Sequence, residues 1–151
     1  MFRVTREVDF CYGHRLLDYQ GKCAYLHGHN GRALITIEGA ELDQTGMVLD
    51  FTDIKRVVQD WVDEKLDHRM VLRRDDPAVG PLEALGEPLF LMDVNPTAEN
   101  LARLIYDYAT GQGFPVVEVR LWETPRCYAV YCPGDSPGQP ADRSDTYSQS
   151  D

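Results

Sequence analysis

Apolar and polar residues alternate from residue 2 to residue 10, with Phe2, Val4, Val8 and Phe10 on one side and Arg3, Thr5, Glu7 and Asp9 on the other. Successive side chains of an extended chain point to opposite faces, so this pattern predicts a half-buried strand. Residues 32–38 repeat it, with Ala33, Ile35 and Ile37 set against Leu34, Thr36 and Glu38, before a polar stretch leading to Gly46. The period then changes. From residue 53 to residue 66 the apolar positions Ile54, Val57, Val58, Trp61, Val62 and Leu66 recur at three- and four-residue spacing, behind a cap at Asp50 or Thr52. That is the signature of an amphipathic helix. Pro96 and Thr97 open a second helix with the face Ala98, Leu101, Leu104, Ile105 and Tyr108, closed by Gly111 and Gly113. Residues 116–122 and 128–131 read as two final strands.

The resulting order, ββααββ, predicts an α+β fold: a four-stranded antiparallel sheet with two helices on one face. Such a sheet has two open edges, which favour association into a closed oligomer. Residues 73–96 are rich in Pro, Gly and acids and read as a long loop, with a short strand at 89–92. Residues 133–151 carry Pro, Gly, Ser, Gln and Asp with almost no apolar residue, and read as a disordered tail. The plan is one domain over residues 1–132 followed by that tail.

Composition narrows the function classes. A chain of 151 residues with 43% hydrophobic content suffices for one core. The charged N-terminus lacks the apolar stretch of a secretory signal, and no run approaches the roughly 20 apolar residues of a membrane span. A cytoplasmic location is expected. The formal charge of −10 argues against a nucleic-acid partner. Cys11, Cys23, Cys127 and Cys132 form no C-x-x-C pair and are expected as free thiols.

Three of the four histidines fall in one short window. His27 and His29 are two residues apart and share a face in extended backbone, Gly28 between them leaves the approach uncrowded, and His14 lies just past the first strand. Three neutral imidazoles with a fourth tetrahedral position open suit a catalytic zinc; hydrogen-bonded core or surface histidines are the alternative. Cys23, beside Lys22, is placed to act as a base or nucleophile near a cation, or is an ordinary buried cysteine. Asp67-His68 suits a proton carrier oriented by a carboxylate, or a histidine at a helix end. Glu123 follows the alternation Val117, Val119, Leu121 and points inward, toward Arg120, Arg126 or a ligand.

These residues add up to a resemblance. Phe10 to His14 with Arg15-Leu16, Gly21-Lys22-Cys23, Leu26-His27-Gly28-His29-Asn30, Gly46-Met47-Val48-Leu49-Asp50-Phe51, Leu66-Asp67-His68, Pro96-Thr97-Ala98-Glu99-Asn100 and Trp122-Glu123-Thr124 resemble, in order, the pyruvoyl- and carboxy-tetrahydropterin synthase family. The resemblance covers residues 2–132. It implies a tunnelling fold, in which sheets of several subunits join into a barrel, usually a hexamer with sites between subunits. It implies that His14, His27 and His29 hold zinc and that Cys23 accepts a proton. Asp67 and His68 would form the relay, Glu123 would anchor the pterin, and Thr97 and Glu99 would lie near it, with a helix cap as the other role for Thr97. The implied substrate is 7,8-dihydroneopterin triphosphate. One outcome is 6-carboxytetrahydropterin with loss of acetaldehyde and triphosphate, the precursor of the deazapurine in queuosine; the other is the pyruvoyl product. A non-catalytic zinc- or pterin-binding subunit and a three-histidine zinc hydrolase are further readings. Arg69, Arg73 and Arg74 are candidates to meet the triphosphate, or a solvated face. Two departures stand near the histidines: Gly31, where family members often have an aromatic residue, and Tyr12-Gly13, where they often have a small pair.

Overall fold

The computed structural model describes residues 1–134. The tail expected at 133–151 therefore falls almost wholly outside the described residues. Strand β1 spans Phe2–His14 and β2 spans His27–Gly39. They form one long antiparallel ladder that runs from Phe2 opposite Gly39 to His14 opposite His27. Both strands continue past the alternation that announced them. On one face β1 buries Val8, Phe10, Tyr12 and His14, and β2 buries Ala33, Ile35 and Ile37.

The first helical segment has three parts: α1 (Phe51–Ile54), a π-helical stretch Lys55–Gln59, and α2 (Asp60–Lys65). The cap is Asp50, whose carboxylate accepts the Thr52 N–H at 2.8 Å. Ile54, Val58, Val62 and Leu66 are fully buried at strict four-residue intervals. In an uninterrupted α-helix such a row drifts by about 40° per step. The wider π turn reduces that drift and keeps the row on the sheet. Helix α4 (Ala98–Gly111) is capped by Thr97 and buries Ala98, Leu101, Ala102, Ile105 and Ala109. Both helical segments and one face of the sheet share a single hydrophobic core.

The sheet is larger than the alternation predicts. Strands β3 (Arg69–Arg73), β4 (Leu89–Met92), β5 (Val116–Thr124) and β6 (Cys127–Tyr131) complete six strands in the order β4-β3-β1-β2-β5-β6. β3 pairs parallel with β1 and with β4, so the sheet is mixed rather than antiparallel throughout. The short strand expected at 89–92 is β4, and the remainder of the stretch expected as a loop at 73–96 also holds a short helix, α3 (Val79–Ala84). β3 has no alternation to announce it, because its two arginines bracket only three apolar residues, and a parallel partner leaves no hairpin signal. No helix among the described residues is long and apolar enough to cross a membrane.

Candidate active site

The β1–β2 ladder builds the histidine cluster. Its final pairs set His14 against His27 and Tyr12 against His29, so all four side chains lie on the core face at the end of the sheet. The imidazole centroids are 4.5 Å apart for His14 and His27, and 5.0 Å from each of these to His29. One ligand nitrogen from each ring lies within 4.8 Å of the others.

Hydrogen bonds define which nitrogens are free. His14 Nδ1 lies 2.7 Å from the Pro96 carbonyl and His27 Nδ1 lies 2.7 Å from the Tyr25 carbonyl. A carbonyl only accepts, so both Nδ1 atoms carry the proton and both Nε2 atoms present lone pairs. Those two Nε2 atoms are 3.0 Å apart. Facing lone pairs at that distance repel unless a cation or an extra proton lies between them. Adjacent ligands of a tetrahedral zinc, at Zn–N of about 2.0 to 2.1 Å, stand about 3.3 to 3.4 Å apart. The donor set fits that ion, and the carbonyls act as the orienting partners that metal-binding histidines commonly have. Burial pushes the pKa of His14 down and keeps its ring neutral, as a ligand requires.

A cleft of about 330 Å³ opens beside this cluster, lined by His14, Leu16, Cys23, Thr97, Ala98, Glu99, Glu123, Cys127, Tyr128 and Ala129. Cys23 is half-buried on a 3-10 turn, Lys22–Ala24. Its carbonyl accepts the Leu16 N–H at 2.8 Å, which ties that turn to the chain just after His14. Thr97 caps α4 through Asn100 N at 3.3 Å, and Glu99 stands exposed in the same first turn.

Glu123 contacts neither expected arginine. Its Oε1 accepts the Tyr12 hydroxyl at 2.8 Å and lies 3.9 Å from His14 Nε2, whereas Arg120 pairs with Glu118. Burial and the Glu123 carboxylate push the Tyr12 phenol far above its ordinary pKa. The hydroxyl stays a donor. Sequence reasoning missed Tyr12, although its place between Phe10 and His14 continues the buried row. The two positions singled out as departures also meet: a Cβ on Gly31 would come within 3.0 Å of Tyr12 Cε1.

Asp67 and His68 sit between the first helical segment and β3, alongside β1 at Cys11. His68 follows the first helical segment with a φ of 54°, a left-handed conformation uncommon for histidine. Asp67 Oδ1 accepts the Cys11 N–H at 2.7 Å, and Oδ2 lies 2.7 Å from His68 Nδ1. Burial raises the Asp67 carboxyl, but these bonds outweigh it and hold its pKa below the ordinary value. His68, Cys11, Asn30 and Arg69 line a hollow of about 380 Å³. The structure thus brings together the histidines, Cys23, Thr97, Glu99 and Glu123. It sets Asp67 and His68 beside Cys11 instead. Arg73 is held by Asp18 and Asp75 and Arg74 by Asp93, so their charges are already paired.

Known proteins share this plan. The chain is 38% identical over 135 residues to the 6-carboxy-5,6,7,8-tetrahydropterin synthase of Rickettsia felis, covering 85% of this chain and 98% of that one. It is 31% identical to the protein of the same name from Haemophilus influenzae, over 87% and 99% of the two chains. A crystal structure of an uncharacterized protein from Wolinella succinogenes superposes with a TM-score of 0.74 at 26% identity, over 87% and 98%. The Caenorhabditis elegans 6-pyruvoyl tetrahydropterin synthase gives 0.65 at 22% identity, over 87% and 94%, a likeness of fold. The chain has the tunnelling fold. The sequence pattern of 6-pyruvoyl tetrahydropterin synthase matches residues 3–133, and the chain belongs to that family.

Proposed function

We propose that this protein is a zinc-dependent 6-carboxy-5,6,7,8-tetrahydropterin synthase. It converts 7,8-dihydroneopterin triphosphate and one water to the 6-carboxy product, acetaldehyde and triphosphate, the water supplying the oxygen and hydrogen that side-chain cleavage requires. That it is a lyase-type pterin synthase follows from its family and from relatives named 6-carboxy-5,6,7,8-tetrahydropterin synthase. The observation that carries the zinc-and-thiol chemistry is the cleft itself, where His14 stands beside a thiol and a carboxylate; the names of the relatives favour the 6-carboxy outcome.

His14, His27 and His29 would hold zinc, which when bound supplies a Lewis acid that makes a side-chain hydroxyl of the substrate more acidic. Glu123 presents two acceptor oxygens that match the amino group and ring N–H of a pterin edge. The Cys23 thiolate removes a carbon-bound proton from the side chain. Asp67 orients His68, which exchanges protons with the side-chain oxygens. Thr97 and Glu99 border the pterin at the start of α4. Cys23 and His68 line different hollows of one protomer, which supports a site completed by the relay of a second copy. The free edges of β4 and β6 are where sheets of successive copies would join into a barrel, and a hexamer is the proposed assembly.

Incubation with 7,8-dihydroneopterin triphosphate tests the reaction. Acetaldehyde together with a 6-carboxypterin mass supports it; a pyruvoyl product without acetaldehyde moves the protein to the sister reaction, and binding without turnover makes it a pterin-holding subunit. Mixing Cys23→Ala with His68→Ala protein tests the shared site. Mixed oligomers should regain part of the activity that each variant lacks.

A further inference from the structure

Glu123 stands between two possible partners. Its carboxylate borders the Cys23 cleft and a second hollow on the far side of the β2–β5 pair. The same oxygen that accepts the Tyr12 hydroxyl is 3.9 Å from His14 Nε2. Carboxylates are good zinc donors, and three imidazoles leave one position for a fourth. An unrestrained Glu123 would therefore be drawn toward the histidines, and would then no longer face a ligand.

Tyr12 is built to prevent this. Its ring is 3% exposed, stacks on Phe10 at 5.3 Å, and meets His14 edge-on at 5.2 Å. It also leans on His29 at 5.9 Å. Below it lies Gly31, whose missing side chain is what leaves the ring its place: a Cβ would stand 3.0 Å from Tyr12 Cε1 and 3.2 Å from Phe10 Cζ. A ring packed on all these sides delivers its hydroxyl to one fixed point, and the donated bond is charge-assisted.

We propose that Tyr12 is a positioning residue that holds the Glu123 carboxylate toward the ligand cleft and away from the three-histidine centre. The ligand half of this proposal rests on Glu123 being the pterin anchor; the metal half does not.

The test reads zinc affinity, by competition with a chromophoric chelator, and the affinity of a non-reactive pterin. Tyr12→Phe keeps the ring and removes the donor. It should bind zinc about tenfold tighter and pterin about tenfold weaker, each the size of one charge-assisted hydrogen bond. In a Glu123→Gln background the same change should alter neither by more than about twofold, since the group being positioned is gone. Gly31→Ala retains the hydroxyl but displaces the ring, and should move both affinities in the same directions by smaller factors. If Tyr12→Phe leaves both affinities unchanged, or weakens both together as a mere packing loss would, the proposal is overturned. If Glu123→Gln alone leaves pterin affinity unchanged, the anchor reading fails, and the zinc measurement still decides on Tyr12.

Discussion

Replacing Asp76 by asparagine tests the ion pair that fixes the chain just beyond His14. The Asp76 side chain is fully buried, and Oδ2 accepts Arg15 Nε at 2.7 Å while Oδ1 accepts a second guanidinium N–H. Oδ1 also accepts the Ala78 N–H at 2.7 Å, at the turn into α3. Removing one member of a buried pair costs about 3 to 5 kcal/mol. Arg15 retains 23% exposure, and asparagine keeps one acceptor oxygen, so the cost here should be about 2 to 3 kcal/mol at neutral pH. That corresponds to roughly 7 to 10 °C in melting temperature for a domain of this size. The Arg15 hydrogen bonds hold the Asp76 pKa below its ordinary value, with burial opposing them and the Ala78 N–H assisting. A carboxyl whose pKa is lower in the folded state stabilises above its unfolded pKa, about 3.9. That stabilisation is lost as pH falls through the folded value. Urea denaturation of wild type and Asp76→Asn, stepped from neutral pH into the acid range, should show a full gap above about pH 5 that closes below about pH 4. A neutral-pH gap under about 0.5 kcal/mol, or one that widens on acidification, would refute the reasoning.

Three further outcomes are expected. His27→Ala and His29→Ala should each lose bound zinc by metal analysis, because the remaining pair of imidazoles cannot complete the site; full occupancy in both would remove the ligand set. Cys23→Ala should abolish turnover with zinc content and melting unchanged, while Cys11→Ala keeps activity, and the opposite pattern would transfer the base role to the thiol beside Asp67 and His68. Thr97→Ala should lower stability by about 1 kcal/mol through loss of the α4 cap, and Thr97→Ser should restore it. Pterin affinity of the same two variants separates the cap from a ligand contact: a loss in Thr97→Ala greater than the melting change accounts for, and recovered in Thr97→Ser, assigns Thr97 a direct role.

Much of this protein is decided locally and can be read along the chain. The alternation through Phe10 and the row Ile54, Val58, Val62, Leu66 each face one neighbouring surface, so their spacing alone announces strand and helix. His27 and His29 share a face because a strand repeats every two residues, whatever the rest of the fold does. The remainder depends on which distant segments pair. His14 reaches His27 only through the register of the β1–β2 ladder, and β3 becomes a strand only by lying parallel to β1. Glu123 meets Tyr12 across 111 residues of sequence and bypasses the nearby cations Arg120 and Arg126. The same topology puts Cys23 and His68 in different hollows, which no motif spacing records. Periodicity reports the surface a segment must bury; only the assembled sheet determines which side chains come to share that surface.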